Sequence, residues 1–341
     1  GKHGLIMATY KEIKGTNIEA LETDPTYPVG GQVWYNTTSN VLKGATGSPV
    51  ESWSTVNSIN SLRYGLGSAG TSTAALGFGG NPPSGPGTGY VTLNESWNGT
   101  NWTEVNNLNT AKQYTGSVGI QTAALSFGGS LPSPPTTTEN TEIWNGTNWT
   151  EVNNMTEKTT LLRGAGTSTA AVGFAGYVTA PSRTASTELW NGTNWTEVND
   201  LNQAKYTPGA GGTSTAAVCA AGNVAGPPTT TANTEMWNGT NWTEVNDLNQ
   251  GRAGMLGYSG TDNTATIVFG GAGPYTAATE KWNGTNWTEV NDMNNAVGNL
   301  GCSNSGSPSA ALGFGGYRSP GGRTAATEQW AGITVKTFTD S

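Results

Sequence analysis

The chain has 341 residues and a formal net charge of −8, from 15 Lys and Arg against 23 Asp and Glu. Gly supplies 50 residues, about twice its usual share, and charged residues make up 11%, under half the usual content. That composition excludes collagen, a coiled coil and a charge-rich disordered chain, and the 13 Trp require a packed interior.

The scattered cations form no basic stripe, so a nucleic-acid partner is not expected. No apolar run reaches the roughly 18 residues of a spanning helix, and the start, Gly1 to Met7, carries no apolar signal region. The single His, His3, leaves no Ser-His-Asp, Cys-His or His-metal chemistry. Cys219 and Cys302 are too few for a disulfide framework and read as small buried apolar residues. No cofactor or metal is expected.

In chain order, residues 1–50 read as a leader followed by a hairpin over Gln32–Lys43. The stretch Glu51 to Asn57 looks like a lone strand without its own neighbours. From there the chain repeats. The decapeptide W-N-G-T-N-W-T-E-V-N starts unchanged at Trp97, Trp144, Trp190, Trp237 and Trp282, and a degraded copy starts at Trp330. A second element, A-A-L-G-F-G-G at Ala74–Gly80, has later copies beginning at Ala123, Ala170, Ala216, Ala265 and Ala310. The unit has no helical period, and its turn residues recur at strand spacing, which predicts an all-β fold. Four strands fit each unit: a, the Gly-rich run; b, A-A-L-G-F; c, T-E-x-W; and d, W-T-E-V. The c–d turn is N-G-T-N, whose Asn-Gly favours a tight hairpin. On strand b, Leu76 and Phe78 point to one face and Ala75, Gly77 and Gly79 to the other, so neighbouring sheets can nest large side against bare side. Six units of roughly 45 residues and four strands each are the signature of propeller blades.

The unit resembles a kelch repeat. The resemblance rests on Gly79-Gly80 after strand b, Trp97 on strand c, Trp102 on strand d and Lys112 opening the next unit, with Gly128-Gly129, Trp144 and Trp149 in the second. It spans about residues 53–339 and implies a β-propeller, six blades by the repeat count, its ring closed by strands from both chain ends. A seventh blade follows if residues 8–57 form one whole. The fourth unit departs most, with Ala220 and Ala221 where Phe and Gly belong, and is expected to pack least well. The segment Pro28 to Gly44, P-V-G-G-Q-V-W-Y-N-T-T-S-N-V-L-K-G, together with the repeat text, resembles virion-associated proteins of marine bacteriophages, tail and fibre proteins among them. That implies residence in a particle, residues 1–50 docking to another virion protein, and a propeller over 51–341.

Antiparallel blades place the b–c and d–a loops on one face. The c–d turns are invariant, whereas the b–c loops vary, and variable loops on a rigid scaffold commonly carry binding. Their candidates are Tyr177, Arg183, Tyr275, Tyr317, Arg318 and Arg323. The basic residues Arg63, Lys112, Lys205 and Arg252 open strand a and are expected to ring the channel on that face. There they attract an anion or, in kelch-like packing, pair with carbonyls and Glu. Val297 interrupts this ring and Lys158 is one residue out of register. The repeated Trp and Glu recur in every unit, which fits packing better than sugar stacking or a glycosidase carboxylate pair. The expected function is a non-enzymatic adhesin that recognises a host-surface glycan or protein. A structural virion part is the alternative, and a carbohydrate-active enzyme a more distant one.

Overall fold

The computed structural model describes residues 18–25, 32–46, 51–83, 89–133, 136–178, 182–225, 229–332 and 334–337. The described residues are all strand, turn and loop, and they form seven four-stranded sheets and one two-stranded ribbon. The chain divides into two compact units, one of residues 1–51 with 332–341, the other Ser52–Ala331.

In Ser52–Ala331 each repeat makes one antiparallel sheet in the order a-b-c-d. The second repeat is typical: Gly116–Ile120 pairs with Ala123–Phe127, then Thr141–Trp144, then Trp149–Val152. The N-G-T-N turn forms because Asn145 Oδ1 accepts the amides of Thr147 and Asn148, while Gly146 takes the left-handed φ of 92°. A clip then ties neighbouring turns: Asn106 Nδ2 donates to Asn148 Oδ1 at 2.9 Å, and Asn153, Asn199 and Asn246 make the same link in the following repeats.

Large-on-bare nesting holds the sheets together. A Cβ on Gly77 would lie 2.6 Å from the Phe314 ring, and one on Gly173 would lie 2.9 Å from Phe127. Only glycine admits the neighbour's aromatic ring there. The strand d Trp completes the sandwich: Phe78–Trp149, Phe127–Trp195, Phe174–Trp242, Phe269–Trp53 and Phe314–Trp102 have ring centroids 4.6–4.9 Å apart. The fourth repeat deviates as its sequence suggests, but the fault is filled from next door. Ala220 replaces Phe, and Val268 of the fifth repeat stands where the other repeats carry Gly, Ser or Cys, reaching 2.9 Å from the Cβ position of Gly209.

The sixth sheet takes its outer strand from the chain's beginning. Ser52–Val56 pairs with Thr327–Ala331, setting Trp53 opposite Trp330. The lone strand seen in the sequence thus finds its neighbour 277 positions along the chain, by pairing Trp53 with Trp330. The inner strands touch in succession from first to sixth and back to the first.

Six hydrogen bonds, five between backbone groups and one to a side chain, circle the axis where strand a begins. The amides of Tyr114, Leu161 and Thr207 donate to the carbonyls of Gly65, Tyr114 and Leu161. Gly254 N donates to Thr207 Oγ1, Asn299 N to Gly254 O, and Gly65 N to Asn299 O, which closes the circle. Every one of these six residues lies at φ between 55° and 87°. Tyr114, Leu161, Thr207 and Asn299 hold that left-handed geometry without being glycine, a strain the circle of bonds sustains.

The other unit has its own sheet, in the order Glu19–Leu21, Val33–Asn36, Val41–Thr46, Thr334–Thr337. Its focus is Asp24, which accepts from Lys43 Nζ at 2.6 Å, Asn36 Nδ2 at 2.7 Å and Trp34 Nε1 at 3.1 Å. These donors, Lys43 first, hold the carboxyl below its ordinary range. The boundary expected at residue 50 therefore needs a correction at the far end: residues 332–341 group with the N-terminal unit, because Thr334–Thr337 pairs with Val41–Thr46. A blade built from residues 8–57 is also corrected, since Ser52–Val56 belongs to the sixth repeat's sheet.

Candidate functional site

The four basic residues that open strand a do not line a channel. Arg63, Lys112, Lys205 and Arg252 are all 0–1% exposed, and each turns into its own sheet to meet the strand c Glu. Arg63–Glu95 is 2.7 Å, Lys205–Glu235 3.2 Å, Arg252–Glu280 3.3 Å and Lys112–Glu142 3.6 Å. The same Glu caps the chain entering the sheet: Glu142 accepts the amides of Asn109 and Thr110, and Glu235 that of Asn202. The channel rim expected for these residues is thereby corrected, and of the two roles considered for them the pairing with Glu is the one observed. The reason is that an amide-rich cap already fixes a buried carboxylate, and the cheapest way to keep it charged is a cation on the adjoining turn. Burial pushes the Lys112 amine down to about 8, against the opposing pull of Glu142.

Two repeats lack the cation. In the third, Thr159 stands at the basic position and Lys158 faces outward to Glu139 at 3.7 Å. Glu188 is left without a cation, held by the amides of Thr156 and Glu157 and the Thr156 side chain, and burial raises its carboxyl above the ordinary value. In the sixth, Val297 replaces the base. Arg318 from the b–c loop lines an internal cavity of about 10 Å³ with Val297 and Glu328, its Nε buried and unpartnered. Arg318 is itself half-buried, beside Tyr317 on the b–c loop.

The remaining loop candidates gather on the b–c face as an aromatic crown. Tyr177 and Tyr206 meet edge to face at 5.4 Å, with the Arg183 guanidinium 5.4 Å over the Tyr206 ring. Tyr317 and Tyr64 meet edge to face at 5.7 Å, with Arg323 5.1 Å over Tyr64. Arg323 also donates to the backbone and side-chain oxygens of Asn81. Tyr275 lies 5.9 Å from Tyr317, and Tyr114 6.0 Å from Tyr64. Burial, then the neighbouring phenol Tyr64, pushes the Tyr114 hydroxyl far above the ordinary phenol range. All of these tyrosines are half-buried, so each offers part of a ring to solvent. The b–c loop tips at residues 84–88, 134–135, 179–181 and 226–228 lie outside the described residues.

Sequence reading missed Tyr64, Tyr114 and Tyr206. Two of them had a signal, since each directly follows a buried base in Arg63-Tyr64 and Lys205-Tyr206. If the base turns inward on an extended chain, the next residue must turn outward.

The axis beneath the crown is filled. Arg163 donates Nε to Pro208 O at 3.0 Å, reaches Leu256 O, and stacks 5.1 Å over Tyr258. Asn304 Nδ2 bonds the carbonyls of Ser68 and Ser117, tying the sixth repeat to the first two. On the opposite face a depression of about 340 Å³ is lined by strand a ends such as Gly119, Gly166, Gly212 and Gly260, with Ile120 and Ser305. Among the described residues, no group of three or more His, Cys, Asp and Glu is placed to hold a metal ion. No described helix is long and apolar enough to cross a membrane.

No family model matches the chain, and no curated protein matches it. Among solved structures, that of YjhT aligns with a TM-score of 0.65 at 12% identity, covering 82% of this chain and 99% of that one. Taken with the repeated four-stranded sheets, this likeness shows that the chain has a kelch-like β-propeller fold.

Proposed function

We propose that this chain is a non-catalytic binding protein of a bacteriophage particle, and that it recognises a host-surface glycan through the b–c face of a six-bladed ring. The crown carries the reading. Half-buried tyrosines with Arg183 and Arg323 laid over them supply flat apolar faces with a polar edge, the pairing that sugar rings favour. The groups a hydrolase needs are committed elsewhere, since Glu95, Glu142, Glu235 and Glu280 are bound inside their sheets. A count of six blades is supported by the circle of axial hydrogen bonds, which uses one residue from each of six repeats. The virion setting rests on the likeness of Pro28 to Gly44 to phage tail and fibre segments. The separate N-terminal unit suits docking to another particle protein.

The test is binding of labelled full-length protein to a panel of bacterial strains and their extracted surface polysaccharides. Saturable binding to a subset of strains, lost in a Tyr64→Ala/Tyr206→Ala variant that folds normally, supports the proposal. Absence of binding across a broad panel, with retention of the protein in assembled particles, favours a structural virion part.

A further inference from the structure

The crown is built twice. Tyr177 and Arg183 of the third repeat face Tyr206 of the fourth, which bridges Asn223, without the Arg-to-Asn hydrogen bonds of the other set. Tyr317 and Arg323 of the sixth repeat face Tyr64 and Asn81 of the first. The two sets occupy the same positions in their repeats: Tyr177 and Tyr317 directly follow the strand b turn, and Asn81 and Asn223 do the same in the partner repeats. Tyr64 and Tyr206 both follow the buried base, and each bridges the Asn of its own repeat. Tyr177 bridges Arg183 as Tyr317 pairs with Arg323. The ring separations of 5.4 and 5.7 Å, the interplanar angles of 70° and 75°, and the Arg-to-ring distances of 5.4 and 5.1 Å agree closely. The other four junctions lack the set, because Gln113, Thr160, Ala253 and Gly298 stand where Tyr64 and Tyr206 do. Packing alone does not require this motif, since those four junctions close without it.

From this we infer two equivalent binding sites, three repeats apart and so half a turn around a six-membered ring, each taking an acidic sugar of a polyanionic glycan. The inference rests on the glycan reading of the crown. The acid is argued from the arginines. Each guanidinium is stacked on a Tyr ring, which orients its N–H edge and leaves it donors to spare. Arg183 has no protein acceptor for its buried Nε among the described residues, while Arg323 gives Nε and Nη2 to Asn81, so at both sites an incoming carboxylate would meet the remaining Nη donors. Two sites on one rigid ring make a long chain of repeating acidic sugars a bivalent ligand, whose second contact is intramolecular.

The experiment is calorimetric titration of the full chain with a mannuronate tetrasaccharide and with long polymannuronate. The expected result is two tetrasaccharides per chain, one after Arg183→Gln or Arg323→Gln, and none in the double variant. The polymer should bind at least about 10-fold more tightly than the tetrasaccharide, a gain lost in either single variant. Tyr206→Ala and Tyr64→Ala repeat the comparison without touching the Arg323–Asn81 bonds, with near-ultraviolet circular dichroism as the folding control. One tetrasaccharide per chain, abolished by either single change, overturns the duplication and leaves a single composite site. Crown-dependent binding of neutral glycans without uronates overturns the acidic class. Cell binding indifferent to all four changes overturns both this inference and the crown reading beneath it.

Discussion

At the scale of the residue, the buried base shows how one substitution changes the chemistry of an otherwise constant position. Four repeats pair Glu with Lys or Arg, and the third leaves Glu188 with neutral donors only. Its raised carboxyl pKa means the folded chain holds a proton that the unfolded chain has released. Glu188 therefore costs stability as pH rises from about 4.5 through its folded value. Thr159→Lys should remove that cost, so the variant gains on the wild type as pH climbs from 4 to 7 in urea unfolding. A gain that does not depend on pH would mean that the new amine never reaches Glu188. Lys112 has the opposite sign of slope. With a folded value near 8 against 10.5 unfolded, the unfolded chain binds the extra proton between those limits, so this group favours folding increasingly from pH 8 to 10.5. Relative to Lys112→Met, the wild type should gain up to about 3 kcal/mol across that range. Along the chain the pairing with Glu was one of two open readings, because an Arg or Lys at the mouth of a strand reads the same whether it faces the axis or its own sheet.

At the scale of the element, the repeats are copies with coupled exceptions. Phe127 meets Gly173 and Phe314 meets Gly77, while the Ala220 gap meets Val268. Ala220→Phe alone should overpack against Val268 and cost about 1–3 kcal/mol, and adding Val268→Gly should restore most of it. Additive losses in the double-mutant cycle would show that the two positions do not share one space. By contrast Phe127→Ala, whose neighbour Gly173 has nothing to fill the void, should cost about 3–5 kcal/mol by chemical denaturation. Strands a to d were readable from one repeat, since Asn-Gly turns and period-two alternation are local. The compensation at Ala220 was not, because it lies between repeats. The crown was half-readable: Tyr177, Arg183, Tyr317 and Arg323 stand out in variable loops, but their partners Tyr64 and Tyr206 sit on a neighbouring repeat beside residues that look more interesting.

At the scale of the whole molecule, closure depends on one short strand. Ser52–Val56 caps the sixth sheet and places Trp53 against Phe269 and Trp330. Trp53→Ala should cost about 3–5 kcal/mol and lower the Tm by roughly 10 °C, whereas a chain limited to residues 51–332 should keep its melting behaviour and its crown. Loss of cooperative melting in that shortened chain would show that the N-terminal unit is needed for the ring to fold. Ser52 and Ala331 are cross-strand partners, so the polypeptide enters and leaves the ring at one place. In mechanical terms, a force applied to the N-terminal unit pulls on a double tether. The load divides between two covalent strands and passes into the first repeat through one and the sixth through the other. The Thr327–Ala331 to Ser52–Val56 ladder is not peeled open by the difference between them. Force carried by the N-terminal unit thus enters the ring at the Ser52–Ala331 pair, where both strands share it.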